Sequence, residues 1–264
     1  MEKIAIISDV HGNITALKAV LADIESRGIK RIYCLGDSII KCANPDKVID
    51  LLKEKCEVMI KGNCDEVICK PNVPFGKFWS RDKIGDERAD YIYNLPVVKD
   101  FYLSGHLIRL FHASPISLAH VFNPMYPNSD TLYFDKIIYN PDDMFKNTEF
   151  IGKTDKDPIP DVVGYAHLHT PNLFRFRNKT IFNTGSVGIP AEMMNDGPEN
   201  DTSKFSTMAS YVILEGNLDS KELGVLSYTF MRIPYDIESE IKYLEESDMP
   251  NKEVIITALR TANH

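Results

Sequence analysis

Asp9 and His11 stand two residues apart where an apolar run ends, in "IAIISDVHGN". Taken alone, the pair reads equally well as a polar turn in which Asp9 caps a following helix, since Asp and Gly are ordinary turn residues. The pattern recurs, however. "RIYCLGD" ends in Asp37, "EVMIKGNCD" in Asn63, Cys64 and Asp65, "LIRLFHASP" carries His112, and "VVGYAHLHT" carries His167 and His169. Four of the seven histidines therefore close apolar runs beside small or turn residues. Imidazole, carboxylate and amide donors suit zinc, manganese or iron rather than a thiolate-seeking metal. Asp9, His11, Asp37, Asn63, His112, His167 and His169 together exceed the ligands of one tetrahedral ion. Two ions sharing a carboxylate would use all of them.

Such donors converge only if the chain folds to bring them together. After His11, Ile14, Leu17, Val20, Leu21 and Ile24 fall at helical spacing, with Asn13 placed as N-cap and Gly28 as stop. Residues 31–35 predict a second buried strand, Pro45 opens a second helix, and "EVMIKGN" predicts a third strand. Strand, helix, strand, helix, strand with short links predicts a right-handed βαβαβ unit and a parallel sheet. Ligands bind at the carboxyl ends of such strands. Residues i and i+2 of an extended segment point the same way, so Asp9 and His11 are expected to face one point.

Further along, "RDKIGDERADYIYNLP" predicts a helix ending at Pro96, and "VKDFYLSGHLIRLFH" a hairpin around Ser104 and Gly105. Residues 113–160, rich in Pro, Asn and Asp, predict a long excursion over one face. More strands and hairpins follow, residues 195–204 read as a mobile loop, and one or two helices begin near residue 236. The expected organisation is a domain over 1–236 and a helical tail over 237–264, packed on its own sheet or on a second subunit. There is no internal repeat.

A length of 264 residues allows one large domain with at most a small appendage. A formal charge of −8 opposes long nucleic acid, whose phosphates need a basic surface, and favours a small substrate with metals to offset the acid. No apolar run approaches the ~20 residues of a membrane span. The N-terminal Met-Glu-Lys-Ile-Ala-Ile-Ile predicts a strand at once, so no signal peptide is expected. Cys34, Cys42, Cys56, Cys64 and Cys69 are odd in number and lack a CxxC pair, so reduced thiols and a cytoplasmic location are expected.

D-x-H at 9–11, G-D at 36–37, G-N-x-D at 62–65, the single His112 and G-x-x-H-x-H at 164–169 resemble the calcineurin-like metallophosphoesterase superfamily. Order and spacing agree from residue 4 to about 190. "DVHGN", "GNCD" and "FNTGSVGIP" look most like its bacterial phosphodiesterase branch, which includes asymmetric diadenosine tetraphosphate hydrolases. The resemblance implies an α/β fold: a four-layer α/β/β/α sandwich of two facing mixed β-sheets, with the metal site at the carboxyl ends of the strands.

Carried over by motif, Asp9, His11 and His169 would hold a first metal, Asn63, His112 and His167 a second, and Asp37 would bridge them through its two oxygens. Asp65 would support the site without ligating. The implied cofactors are two divalent or transition ions, manganese or iron ahead of zinc or nickel. The implied activity is hydrolysis of a small phosphodiester or phosphoanhydride, nucleotides among them. A metal-bridging hydroxide would attack phosphorus in line, without a covalent phospho-enzyme. Asp37, Asn63, His112, Cys64 and Asp65 form the expected catalytic set.

Several positions depart from the family pattern. Cys64 stands where many relatives have the His of G-N-H-D, so it is either a small filler or a weak donor, and the general acid is unassigned. "GDSIIKCANP" replaces a loop rich in glycine and proline, and Ala191 replaces an arginine. His106 and His120 read as ordinary surface and Cys34 as core. "FRFRNKT" reads as an amphipathic hairpin strand in preference to a nucleic-acid surface. Phe122 and Tyr126 either stack a base or anchor their loop, and Asn183, Gly185 and Ser186 are candidates for phosphate contact. The rival readings are a phosphomonoesterase or protein phosphatase, a nuclease, and a metal-binding scaffold without turnover.

Overall fold

The computed structural model describes residues 1–122, 137–138, 140–192 and 204–261. In β1 (Glu2–Ile7) the last four side chains are all buried, yet they serve two different interiors. Side chains alternate across a strand. Ala5 and Ile7 therefore pack with the helices, whereas Ile4 and Ile6 join Tyr33, Leu35, Leu103, Ile108, Leu110, Val162 and Leu214 in a second cluster. That second cluster is the seam between two facing sheets.

The chain runs through α1 (Ile14–Ser26), β2 (Arg31–Cys34), α2 (Pro45–Lys55), β3 (Val58–Met59), α3 (Asn63–Cys69) and α4 (Trp79–Tyr93). There follow β4 (Val98–Leu103), β5 (His106–Phe111), β6 (Val121–Phe122), β7 (Ile137–Ile138), β8 (Val162–Tyr165), β9 (Asn172–Phe176) and β10 (Lys179–Asn183). The chain then passes through β11 (Ala191–Glu192), β12 (Lys204–Phe205), β13 (Met208–Gly216), β14 (Ser227–Pro234), α5 (Ile237–Glu246) and α6 (Lys252–Thr261). One mixed sheet has the order β14-β13-β1-β2-β3, and the facing sheet β4-β5-β8-β10-β9. β1, β2 and β3 are parallel, as are β5, β8 and β10, so both sheets present carboxyl ends. Two short two-stranded sheets, β6–β7 and β11–β12, complete the set among the described residues.

Asn13 caps α1 by accepting the Ala16 N–H at 2.9 Å, and Pro45 opens α2. The third strand is shorter than its sequence suggests. It ends at Met59, and Asn63 begins a helix in place of continuing the strand. α4 is interrupted at Gly85, whose φ of 74° no helix accommodates. Phe111, Phe122, Met144, Phe145, Val163, Tyr165 and Ile181 cover the outer face of the second sheet. Phe122 is fully buried, edge-on to Tyr165 and Phe174, so it anchors its segment. Tyr126 and most of the 195–204 segment lie outside the described residues.

α5 and α6 pack on this chain's own first helix and the loop after Asp37. Ile241, Leu244 and Leu259 share an apolar cluster with Cys42, Ala43 and Ile189. Buried Glu240 accepts the Thr15 N–H at 3.1 Å, at the first turn of α1. Among the described residues no helix is long and apolar enough to cross a membrane.

Candidate metal centre

The loops after β1 and β2 are laced by backbone bonds: Asp9 N–H to Gly36 O (2.9 Å), His11 N–H to Asp37 O (3.0 Å) and Gly12 N–H to Ser38 O (2.9 Å). Asp9 and His11 do not face one point as i and i+2 of an extended segment, because neither is extended. Asp9, His11, Asp37, His167 and His169 all have left-handed backbones, with φ of 51°, 50°, 53°, 65° and 62°. Each such non-glycine residue costs on the order of 1–2 kcal/mol, a strain that concentrates at functional sites. Glycine is needed where the second and third loops cross. A Cβ on Gly36 would overlap Gly62 N, and one on Gly62 would overlap Asp37 Oδ1.

These turns bring three side chains to one point. Asp9 Oδ1 lies 3.2 Å from His169 Nε2 and 3.7 Å from His11 Nε2, and the two imidazole nitrogens are 3.1 Å apart. His11 Nδ1 meets Ile39 O at 3.2 Å and His169 Nδ1 meets Ile189 O at 2.7 Å. A carbonyl only accepts, so each ring carries its proton on Nδ1 and turns an Nε2 lone pair inward. Facing lone pairs and a carboxylate oxygen call for a cation between them. Asp9 Oδ1 is buried and accepts no hydrogen bond among the described residues.

A second cluster adjoins the first. His112 Nε2 lies 2.9 Å from Asn63 Oδ1 and 3.6 Å from Asp37 Oδ2, and its Nδ1 meets Leu35 O at 2.8 Å. His167 brings its ring centroid to 5.3 Å from that of His112, and Asp37, His112 and His167 offer ligand atoms within 4.8 Å of one another. Asp37 Oδ2 is also 3.9 Å from His11 Nε2, so this one oxygen stands between the clusters. Its Oδ1 instead accepts the Cys64 N–H at 2.9 Å. All seven residues of the expected ligand set are therefore gathered at one end of the strands.

The electrostatics of the cradle suit cations. Burial alone would raise the Asp9 and Asp37 carboxyls, but the surrounding histidines hold both below the ordinary range. Burial, helped by the Lys41 ammonium, pushes His11 down to about 3, and burial with His112 pushes His167 down to about 4. Burial opposes protonation of His112 as well, yet Asp37 and Asp9 raise it. The carboxylates thus stay ionised while His11 and His167 stay neutral at pH 7, the protonation states that metal binding needs.

Asp65 and Cys64 border the cradle differently. Asp65 is fully buried and accepts three backbone N–H groups, from Asp37 (2.8 Å), Ser38 (3.1 Å) and Gly62 (3.1 Å). Burial and the adjacent Asp37 push its carboxyl up to about 7, against the pull of those amides. Cys64 Sγ lies within 4.8 Å of ligand atoms of His11 and Asp37. Burial and Asp37 keep it a neutral thiol. Asn183 and Ser186 are buried and act on the site through the backbone: Asn183 Nδ2 donates to Ala166 O at 2.6 Å and Ser186 Oγ to Asp9 O at 2.7 Å. Cys34 is core, and its thiol is pushed up to about 12 by burial.

The orienting carbonyls of Leu35, Ile39 and Ile189 were beyond sequence reasoning, because any residue type supplies a carbonyl. Residues 2–215 match the family model of the calcineurin-like phosphoesterase superfamily domain. The uncharacterized protein MJ0912 of Methanocaldococcus jannaschii is 28% identical over 256 residues, which span 94% of this chain and 93% of that protein. A metallophosphoesterase from Sphaerobacter thermophilus shares the fold with a TM-score of 0.66 at 22% identity, covering 99% of each chain. A hypothetical protein, PH1004, from Pyrococcus horikoshii OT3 does so with a TM-score of 0.68 at 19% identity, covering 98% of each. The chain therefore belongs to the calcineurin-like phosphoesterase superfamily, and it is a phosphoesterase.

Proposed function

We propose that this phosphoesterase is a dinuclear metal-dependent enzyme that hydrolyses a small phosphodiester or phosphoanhydride, nucleotides among them. The observation that carries the reading is the placement of Asp37 Oδ2 between two clusters, 3.9 Å from His11 Nε2 and 3.6 Å from His112 Nε2. Asp9, His11 and His169 would hold one ion, Asn63, His112 and His167 the other, and Asp37 would serve both through Oδ2. Bound there, manganese or iron, ahead of zinc or nickel, would polarise a phosphate oxygen and make water a stronger acid. The carbonyls of Ile39, Ile189 and Leu35 fix the three rings, so the cradle needs little reorganisation during an in-line displacement.

Asp65 would position Asp37 through its backbone. Cys64, kept neutral, would offer at most an S–H hydrogen bond to the leaving oxygen, which suits a leaving group that needs little protonation. The formal charge of −8 favours a small substrate over long nucleic acid. Five free cysteines favour the cytoplasm.

The test compares bis(p-nitrophenyl) phosphate with p-nitrophenyl phosphate on manganese-loaded protein, before and after chelation. Faster hydrolysis of the diester, abolished by chelation and restored by manganese, is the expected result. Faster hydrolysis of the monoester would replace the reading with a phosphomonoesterase. Failure to cleave either substrate with two metals bound would replace it with a binding scaffold.

A further inference from the structure

His11 and His169 each lean on a loop carbonyl, and the same two loops lean on the C-terminal helices. His169 Nδ1 donates to Ile189 O at 2.7 Å and His11 Nδ1 to Ile39 O at 3.2 Å, while Cys42 N–H donates to His11 O at 2.9 Å. Ile189, Cys42 and Ala43 pack in one apolar cluster with Ile241 and Leu244 of α5 and Leu259 of α6. Both helices lie beyond residue 215, where the match to the family domain ends.

A polar joint accompanies the apolar one. Glu240 Oε2 accepts the Thr15 N–H at 3.1 Å, in the first turn of the helix that follows His11. Asn13, the N-cap of that helix, donates through Nδ2 to Gly188 O at 3.0 Å and to the Tyr235 hydroxyl, just before α5, at 3.4 Å. A Cβ on Gly188 would overlap Val10 O, so the loops after β1 and β10 touch through their backbones. Glu240 is not what stability alone selects at its position. It is fully buried, and its Oε1 accepts no hydrogen bond among the described residues, a cost that leucine would avoid. The second cluster has other backing. His112 Nδ1 donates to Leu35 O at 2.8 Å, and Leu35 packs in the seam between the sheets.

We propose that α5 and α6 brace the first metal cluster, with Glu240 as a positioning residue. They hold the start of α1 and the loops at Cys42 and Ile189, and so set how tightly Asp9, His11 and His169 bind their ion, leaving the second cluster unaffected. The inference rests on the metal assignment of the proposed function and deepens it, because it makes the two sites unequal. An imidazole ligand loses affinity when its ring is free to turn, since the partner on its other nitrogen aims the lone pair. Loosening the loops that carry Ile39 O and Ile189 O therefore costs the first ion and spares the second.

The experiment titrates manganese into metal-free, full-length protein by calorimetry in two backgrounds: His112→Ala, which keeps the first cluster whole, and His11→Ala, which keeps the second. Glu240→Ala and, separately, Leu244→Ala are expected to weaken manganese binding about 10-fold in the first background and by less than about 2-fold in the second. In the wild-type chain the same substitutions should weaken one of two equivalents only. Glu240→Gln, whose amide oxygen can still accept the Thr15 N–H, should bind within about 2-fold of its parent in both backgrounds. Leu214→Ala removes the same side chain as Leu244→Ala from an equally buried place between the sheets, and should leave both affinities unchanged. Equal weakening in the two backgrounds, or as large a loss from Leu214→Ala, would reduce the tail to general stability and overturn the proposal. Wild-type protein that binds two equivalents with no effect of the tail variants would overturn the brace alone. Wild-type protein that binds no manganese would overturn the metal assignment and the brace together.

Discussion

Asp37→Ala is expected to lower phosphodiester hydrolysis by about 10³-fold and to cut the metal content below two equivalents. The magnitude follows from what Oδ2 does. It is the oxygen placed 3.9 Å from His11 Nε2 and 3.6 Å from His112 Nε2, and without it the two clusters share no ligand. Charge stabilisation by a bound metal pair is worth several kcal/mol, and each 1.36 kcal/mol is a factor of ten in rate. Asp37→Asn refines the test. Its amide oxygen can still accept the Cys64 N–H that Oδ1 accepts now at 2.9 Å, so the fold of the loop is kept. The amide nitrogen then faces the cradle, where a donor repels a cation. Asparagine should therefore fold like the wild type and fail like alanine. Plasma emission spectrometry and diester turnover on the same preparations decide it. Two retained equivalents with more than a tenth of the activity would remove Asp37 from the shared position.

How much of this was legible in the sequence depends on what each feature is made of. β1, α1, β2 and α2 could be read because hydrophobic period, an Asn cap and an N1 proline are local signals that tertiary packing does not contradict. The residues that converge at the strand ends could be read because Asp, His and Asn are chemically distinctive and each closes an apolar run. α3 could not be. "VMIKGNCD" continues an apolar run into polar residues, and the helix at Asn63 is capped by Asp65 accepting the Gly62 N–H, a bond invisible in composition. The left-handed backbones of Asp9, His11, Asp37, His167 and His169 were equally hidden. Local propensity places glycine or asparagine there, and only the lacing of neighbouring loops makes the cost bearable. The backbone hydrogen bonds of Asn183 and Ser186, to the carbonyls of Ala166 and Asp9, were equally hidden, because residue type does not say which carbonyl a side chain will meet.

The largest expected effect on stability belongs to Asp65→Ala, at about 4 kcal/mol. Asp65 is fully buried and takes the backbone N–H groups of Asp37, Ser38 and Gly62 at 2.8, 3.1 and 3.1 Å. An unsatisfied buried donor costs about 1–3 kcal/mol, so three would cost about 3–9 before any water enters the cavity. Relief of repulsion from Asp37, which helps push the Asp65 carboxyl up, offsets part of that loss. The remainder is a large fraction of the 5–15 kcal/mol typical of a whole domain. Asp65→Asn should lose less, about 1–3 kcal/mol. One amide oxygen can take the place of Oδ2, which serves Asp37 and Gly62, and only the Ser38 donor is left to face an NH₂ group. Urea unfolding of metal-free protein should thus rank wild type above asparagine above alanine, with the slope unchanged if the unfolded state is the same. An alanine variant within 1 kcal/mol of wild type would mean that Asp65 does not join the second and third loops. Asp37 would then owe its position to the glycine crossing at Gly36 and Gly62 alone, and Gly62→Ala would become the substitution that empties the centre.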